Sequence, residues 1–399
     1  MIKKYQEIIF ILLGFSIPIS TAAISFFFIL FILLSFLEGE ITRKISFIKK
    51  NKVSLSILAI FILHLLGFLY LDVQPENGLK SWMFFSVPLL ATVVDDRMQK
   101  YGTLSFLVGS SLMSLATLFL LLNNFDIITA QMYFDHNPSD ELYISTGHIA
   151  LGPIFSFAAA YSLMLFFRGD QCYSKLFFLF FVVNFLAVFF ILGRTGYFIS
   201  LIIVPYILVK LFKKGDIKFL ISVIFTGLIF IVSLNFSPFI KERVKSFQEE
   251  TVSYLNSKNP LHESDTSTSQ RINYALNSMK IALDSPIIGF GTGSFKNTFI
   301  DKLAELKGNS ITDNPHNQYV LIFFQFGIVG IFFYLLMFFY MLKHSRNQSK
   351  KRFKVLEVNL FILFFALIFF FDTYLWEHHL QALFAFFAAI FFRSNLSND

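Results

Sequence analysis

The sequence has little charge and a single cysteine. Of its 399 residues only 15% are charged, whereas 55% are hydrophobic. One cysteine, Cys172, excludes an internal disulfide and any metal site built from several cysteines. A soluble domain of this length cannot hide so much apolar surface, because a large share of any fold stays at the boundary with water. The scarcity of charge therefore excludes an ordinary soluble globular protein.

Long apolar runs are present where a soluble protein would have charges. Several of them approach or exceed the length that crosses a bilayer. The pattern predicts an all-α, polytopic membrane protein with about 12 transmembrane helices. The predicted spans are residues 6–20, 21–37, 52–71, 79–94, 102–123, 148–167, 175–192, 196–212, 217–235, 316–342, 355–371 and 376–392. The first is expected to be retained rather than cleaved as a signal peptide, because a second apolar run follows at once.

The lysines and arginines sort to one side of this predicted bundle. They cluster at the N-terminus and in every second connection, whereas the short connections of the other side hold only Lys80 and Arg194. The positive-inside rule therefore predicts that both termini are cytoplasmic. Residues 1–235 then contain nine transmembrane helices, 236–315 form one helical outer loop, and 316–399 contain three helices and a short cytoplasmic tail. In a Gram-negative cell this is an inner-membrane protein with a periplasmic loop. The net charge of +7 follows from the cytoplasmic connections, so no nucleic-acid partner is expected.

The outer loop is predicted to be structured. An amphipathic helix is expected after Pro238, followed by a polar linker at 256–269. A second helix carries Arg271 in its first turn and ends before Pro286, because the residue before a proline disfavours helix. A third, short helix is predicted over 294–307.

Three alternating glycines, Gly289, Gly291 and Gly293, follow Pro286. Glycine permits positive φ, and a turn of this kind can present amides to a phosphate. Gly291 and Gly293 are therefore candidate diphosphate-binding residues. The alternative is a tight connector between two helices. A dinucleotide fingerprint is excluded, since no strand precedes the glycines.

Three cationic or titratable residues are predicted at the same outer face. Arg194 lies in the tight turn between the seventh and eighth predicted spans, Arg271 lies in the loop, and His316 is expected in the first turn of the tenth span. Each alone has a plain interpretation: a snorkelling or ion-paired arginine, a solvated arginine, and a solvated histidine. Together they suit a catalytic site, because two guanidiniums can bind a diphosphate through paired hydrogen bonds and a histidine can remove a proton near neutral pH.

Other polar residues give weaker signals. Asp372, Glu377, His378 and His379 occupy the last outer turn, where they either line the site or face water, and the pattern favours water. His136 and His148 lack a spacing typical of metal ligands. No metal and no cofactor are therefore predicted.

The order of these motifs resembles the O-antigen ligase and polymerase superfamily. The resemblance rests on residues 193–197, 271–293, 314–319 and 325–330. It is strongest over 194–342, and the predicted helix count extends it over the chain. One departure is Gln325, where members of the superfamily often have glutamate, and the linker at 256–269 makes the alignment loose there.

The resemblance implies a glycosyltransferase. In the ligase branch, members move a polysaccharide from undecaprenyl diphosphate to lipid A–core oligosaccharide at the periplasmic face, without nucleotide sugar, metal or cofactor. The implied partners are the lipid-linked glycan donor, the lipid A–core acceptor and membrane lipid. The implied catalytic residues are His316, Arg194 and Arg271, and the two arginines also bind the diphosphate.

Several alternatives stay open at this point. Polymerases of the superfamily usually have two sizeable outer loops, and its protein-directed oligosaccharyltransferases usually have an additional C-terminal outer domain. One large loop and a short tail favour the ligase. A non-enzymatic transporter of lipid-linked glycans is disfavoured, because such proteins usually carry charges along a path within the bundle and the apolar runs here contain almost no lysine or arginine.

Overall fold

A computed structural model describes residues 2–69, 79–124, 148–169, 173–191, 193–212, 267–305, 311–348 and 352–393, with isolated positions between 220 and 252. Every regular element in these ranges is helical, so the predicted all-α class is confirmed for them. The predicted span at 217–235, the amphipathic helix after Pro238 and the linker at 256–269 fall largely outside the described residues.

The structure describes fourteen α-helices. They are α1 (Ile2–Ser16), α2 (Thr21–Leu37), α3 (Ile41–Lys50), α4 (Lys52–Gly67), α5 (Trp82–Leu90), α6 (Asp96–Asn124), α7 (His148–Arg168), α8 (Ser174–Phe190), α9 (Arg194–Leu211), α10 (Ser267–Ala282), α11 (Phe295–Glu305), α12 (Gln318–Asn347), α13 (Arg352–Ile368) and α14 (His378–Phe391). A 3-10 turn, Leu79–Ser81, precedes α5.

Three of these helices are long and apolar enough to cross a membrane: α6 over Asp96–Leu120, α7 over Ile149–Arg168, and α12. A fourth span is possible by length if α2 and α3, which meet at 111°, count as one broken element. Helices α4, α8, α9 and α14 are apolar but shorter. Among the described residues, length and composition thus support three or four spans, and the predicted count of about 12 is not confirmed.

Helix α7 lies deep in the bundle. Of its candidate span, 89% is buried, and it packs against α8 and α9. Glycines allow the close contact with α9, because a Cβ added to Gly196 would lie 2.9 Å from the Cα of Gly152. Aromatic rings fill the space beside α7, where Phe157 meets Phe387 with ring centroids 4.9 Å apart. This packing fixes where the start of α9, with Arg194, lies.

The two ends of α7 define two faces of the protein. Near its first residues, the Tyr374 hydroxyl donates to the carbonyl oxygen of Ile149 over 3.4 Å. At its last residue, Arg168 pairs with Glu357 at 3.2 Å. A helix of this length separates its ends by about 30 Å. We call the first the histidine face, because His316 lies there, and the second the basic face.

Candidate functional site

A break in α12 organises the histidine face. Gly327 has φ 59° and ψ −152° and interrupts the helix. The glycine segment runs beside this break: the Phe290 amide donates to the Phe324 carbonyl over 3.0 Å, and the Ile328 amide donates to the Pro286 carbonyl over 2.8 Å. The break frees main-chain groups of α12, and the glycine segment satisfies them.

Gly289 is required for this close approach. It has φ +67°, and an added Cβ would lie 2.3 Å from the carbonyl carbon of Gln325. Both the backbone conformation and the space therefore demand glycine. Gln325 is itself 3% exposed, so it belongs to the same packed junction.

The amide of Gly291 is engaged inside the protein. It donates to the carbonyl oxygen of Gln325 over 2.8 Å, and the next amide, of Thr292, donates to the Gly67 carbonyl over 3.2 Å. Gly291 and Gly293 also have positive φ, at 95° and 74°. This arrangement agrees with the connector interpretation of the glycines. Their binding of a diphosphate stays a prediction.

His316 lies before α12 and not in its first turn, so that prediction was wrong. The helix begins at Gln318 because Asn317 caps it: the Asn317 side-chain oxygen accepts from the Tyr319 and Val320 amides over 3.0 and 3.1 Å. His316 itself has φ 50°, a left-handed conformation that costs a side-chain-bearing residue about 1–2 kcal/mol. Its amide donates to the Asn314 side-chain oxygen over 2.8 Å, which helps to hold this conformation.

The His316 ring is bound to a carboxylate. Its Nδ1 lies 3.2 Å from Oδ1 and 3.3 Å from Oδ2 of Asp372. The histidine side chain is 25% exposed, whereas Asp372 is 7% exposed. A carboxylate only accepts hydrogen bonds, so in the neutral imidazole Nδ1 carries the proton and Nε2 has a free lone pair.

Neighbouring groups fix the Asp372 carboxylate. The Thr373 amide and the Asn314 side-chain amide both donate to Oδ1, over 2.7 and 3.1 Å. The Thr373 hydroxyl in turn donates to the Asn314 side-chain oxygen over 2.9 Å. Asn314 thereby links the backbone of His316 to the residue that binds the His316 ring.

Asp372 is held in its charged form. Burial alone raises the pKa of this carboxyl, but the hydrogen bond and charge of His316, the Thr373 amide and the charge of Arg271 together bring its pKa below the ordinary value. The carboxylate is therefore ionised at neutral pH and available to orient the imidazole.

Arg271 lies within electrostatic range of this pair. Its charge acts on both Asp372 and Tyr374. Tyr274, one helical turn further along α10, stacks on His316 with centroids 5.9 Å apart and an angle of 28°. Residues three apart share a helix face, so α10 directs Arg271 and Tyr274 toward the histidine. The structure thus brings together two of the three predicted site residues.

Arg194 begins α9 at the same face. The helix follows Gly193, and the neighbouring Thr195 side chain interacts with the hydroxyl of Tyr374. Tyr374 stands two residues after Asp372, so the backbone at Arg194 lies near the His316–Asp372 pair. The Arg194 guanidinium itself is outside the described side chains.

The last outer turn is only partly open to water, contrary to the favoured prediction, because Asp372 is buried and Glu377 and His378 are half-buried. Besides Asp372, His379 is buried and its Nδ1 lies 2.6 Å from the Ile17 carbonyl oxygen. Glu377 caps α14, accepting from the Leu380 amide over 2.7 Å, and burial raises the pKa of its carboxyl to about 7. Asp372 is the candidate site residue that the sequence pattern favoured least. Its signal was an acid in the outer turn between two apolar helices, on the side predicted for His316.

Within the described ranges, no cluster of three or more histidine, cysteine or acidic side chains has the arrangement of a metal site. The donor set around His316 consists of one imidazole, one carboxylate, amides and a guanidinium. Such a set suits proton transfer and anion binding.

Apolar helices of spanning length are typical of a helical membrane protein, and the histidine–carboxylate pair beside Arg271 is its candidate site. Residues 179–335 match the sequence model of a protein family described as O-antigen ligase. The matched region contains Arg194, Arg271, the three glycines and His316. The match confirms the resemblance predicted from the sequence and supports the O-antigen ligase superfamily. No curated protein matches the chain.

Proposed function

We propose that the protein is an O-antigen ligase. It transfers polysaccharide from undecaprenyl diphosphate to lipid A–core oligosaccharide, in lipopolysaccharide biosynthesis, at the periplasmic face of the inner membrane. The observation that carries this proposal is the hydrogen bond between His316 and the buried Asp372, with Arg271 in electrostatic range. The family match over 179–335 supports the chemistry of the superfamily.

In the proposed reaction His316 is the general base. Asp372 accepts from Nδ1, so Nε2 removes the proton from an acceptor hydroxyl as that oxygen attacks the anomeric carbon of the donor sugar. The bond from the anomeric carbon to the diphosphate oxygen breaks, the electron pair stays on the diphosphate, and the configuration inverts. General-base help of this kind is typically worth about 10²–10⁴-fold.

The arginines stabilise the leaving group. Negative charge grows on the diphosphate as the bond breaks, and a fixed guanidinium interacts with it more strongly in the transition state than in the ground state. We assign this role to Arg271 and Arg194, since both belong to segments that meet at the histidine face. A diphosphate is a good leaving group, so the proposed mechanism uses no strong general acid.

The orientation in the membrane is part of the proposal. We place the histidine face outside, both termini in the cytoplasm and residues 236–315 in the periplasm. The positive-inside distribution of lysine and arginine supports this. A reporter enzyme that works only after export should be active when it is fused after Lys258. A reporter that works only in the cytoplasm should be inactive at the same position. The opposite result contradicts the orientation and the periplasmic site.

A transfer assay tests the assigned reaction. The purified full-length protein receives undecaprenyl-diphosphate glycan together with either lipid A–core or a second lipid-linked glycan. A ligase forms glycosylated lipid A–core, whereas a polymerase extends the lipid-linked glycan. Product only in the second reaction overturns the ligase assignment in favour of the polymerase. A peptide acceptor tests the protein-directed oligosaccharyltransferase, and movement of intact donor without a new bond identifies a transporter.

A further inference from the structure

A cavity opens at the basic face, about 30 Å from His316 along α7. Its volume is about 480 Å³, within the range of roughly 300–1,000 Å³ that is typical of ligand sites. Helices α6, α7, α8 and α13 contribute its described walls. It shares no lining residue with the site around His316, so the proposed transfer does not account for it.

The polar wall of this cavity carries an excess of positive charge. Lys100, Arg168 and Lys354 line it together with the carboxylates of Asp96 and Glu357. Arg168 pairs with Glu357 at 3.2 Å, and Arg393 pairs with Asp96. Each described carboxylate is thus matched by its own arginine. Lys100 and Lys354 bring the lining to three cations against two carboxylates, and the charge of Lys354 also acts on Glu357.

The ion pair between Arg168 and Glu357 forms the inner end of the cavity. Glu357 is 2% exposed and lies within 3.4 Å of the Tyr161 hydroxyl, which donates to it. The Arg168 side chain is 47% exposed, so it reaches Glu357 with one nitrogen and borders open space with the rest. The guanidinium is thereby fixed in direction, as in sites that receive a phosphate oxygen.

The remaining wall is apolar. Leu104, Leu165 and Phe177 line the cavity beside the cations, and they belong to the apolar helices α6, α7 and α8. Lys100 lies 5.6 Å from the centroid of the Tyr101 ring and 5.8 Å from that of Tyr173, so aromatic rings flank its ammonium group. A phosphate next to acyl chains matches both kinds of wall, whereas a free phosphate matches only the polar one.

We propose that this cavity binds a phosphate group, and that its source is the headgroup of an anionic phospholipid. Basic pockets between membrane helices at the cytoplasmic level are suited to such headgroups. Lys100 and Lys354 supply the charge attraction, and Arg168, fixed by Glu357, supplies directed donors. The site is separate from the proposed transfer site, so either proposal can be correct without the other.

The test measures lipid binding by the full-length protein in nanodiscs. Phosphatidylglycerol is titrated into phosphatidylcholine nanodiscs, and retained lipid is quantified by native mass spectrometry. The variant Lys100→Gln/Lys354→Gln removes both lysines of the cavity but leaves the Arg168–Glu357 pair intact. A lysine near an anionic lipid surface contributes roughly fivefold through general charge attraction alone, so a specific site is expected to lose more than about 25-fold in phosphatidylglycerol binding in this variant.

The matched control is Lys49→Gln/Arg346→Gln. Both residues are exposed at the basic face and neither is among the described residues that line this cavity, so the control removes the same charge without changing the site. Equal loss of lipid in the two double variants overturns the proposal, because it reduces the effect to general surface charge. Thermal unfolding in pure phosphatidylcholine checks that both variants are folded.

A second arm separates the two sources of phosphate. Inorganic phosphate and pyrophosphate are added to the protein in phosphatidylcholine nanodiscs, and protection against thermal unfolding is measured. If they protect the wild type but not Lys100→Gln/Lys354→Gln, and phosphatidylglycerol is not retained, the lipid source is wrong. Retention of phosphatidylglycerol that millimolar phosphate does not displace supports the lipid.

Discussion

Nδ1 of His316 lies 3.2 Å from Oδ1 of Asp372, a residue that is 56 positions away in the sequence. The pair joins the segment before α12 to the connection between α13 and α14. It gives the histidine one defined tautomer, since the ionised carboxylate accepts a hydrogen bond from the Nδ1–H group. The predictions for the site begin from this hydrogen bond between His316 and Asp372.

The first prediction concerns Asp372. Replacement by asparagine keeps the size of the side chain but removes the charge that orients the imidazole. Hydrogen bonds to charged groups contribute roughly 1.5–3 kcal/mol, so we expect turnover to fall by about 10- to 150-fold while donor binding changes little. The kcat and KM for donor, measured separately over a range of pH, distinguish this positioning role from general destabilisation.

Glu377→Gln is the matched control for Asp372→Asn. It neutralises another carboxylate of the same connection, and its side-chain oxygen still caps the Leu380 amide. Turnover near that of the wild type is expected. If Glu377→Gln lowers turnover as much as Asp372→Asn, the special role of Asp372 is refuted.

The second prediction concerns the two arginines. Arg194→Ala and Arg271→Ala should each reduce transfer strongly without removing the protein from the membrane, because the hydrogen bonds and charge that bind the diphosphate are lost. Lysine keeps the charge but not the planar fork, so Arg194→Lys and Arg271→Lys should restore only part of the activity. Transfer rates and membrane levels are measured together. Near-normal transfer in both alanine variants would remove the diphosphate site from the account.

The third prediction concerns the glycine segment. Gly289→Ala should lower the unfolding temperature, because its Cβ would collide with the backbone of Gln325 and its φ is +67°. Gly39→Ala is the control: Gly39 has φ +77° but no atom within 4 Å of an added Cβ. The backbone conformation alone costs about 1–2 kcal/mol, so the loss in Gly289→Ala should exceed that in Gly39→Ala. Equal losses would show that close packing at Gly289 contributes nothing.

The fourth prediction is a pH dependence of stability. The folded-state pKa of Asp372 is lowered, whereas an unfolded aspartate titrates near pH ~3.9. The carboxylate therefore stabilises the fold above that value, and the contribution is lost as pH falls through the lowered folded pKa. Thermal unfolding in detergent between roughly pH 3 and 7 should show wild type more stable than Asp372→Asn at the upper end, with the difference shrinking toward the lower end.

Asp284→Asn provides the comparison for this titration. Asp284 pairs with Lys302 at an exposed position, and exposed pairs contribute about 0–1 kcal/mol. Its replacement should change stability little at any pH. A difference between wild type and Asp372→Asn that grows as pH falls would have the wrong sign for a lowered pKa.

The sequence predicted the helices better than their ends. Apolar runs of helical length are unambiguous, so most of the described helices were expected. Helix α3 was missed because its many lysines are typical of a solvated connection. In the structure Lys44 is 5% exposed and pairs with Glu38 at 3.1 Å. The pair joins the end of α2 to α3 across the bend between them, and local composition does not predict that bend.

The candidate site was predicted in part. The sequence indicated His316 and Arg271 on one face, and the structure brings them together around Asp372. The start of α12 was placed too early, although Asn317 is a preferred capping residue and marked the boundary. The pairing of His316 with Asp372 depends on how α13 and α14 pack, and one sequence alone does not contain that information.

The most direct test of the central claim is to measure turnover and donor binding separately in wild type, His316→Ala and His316→Gln. If His316 is the base, turnover at saturating substrates falls by about 10²–10⁴-fold in both variants, while binding of undecaprenyl-diphosphate glycan stays near the wild-type value. Turnover near the wild-type value in both variants would contradict the general-base role and leave the chemistry to the arginines.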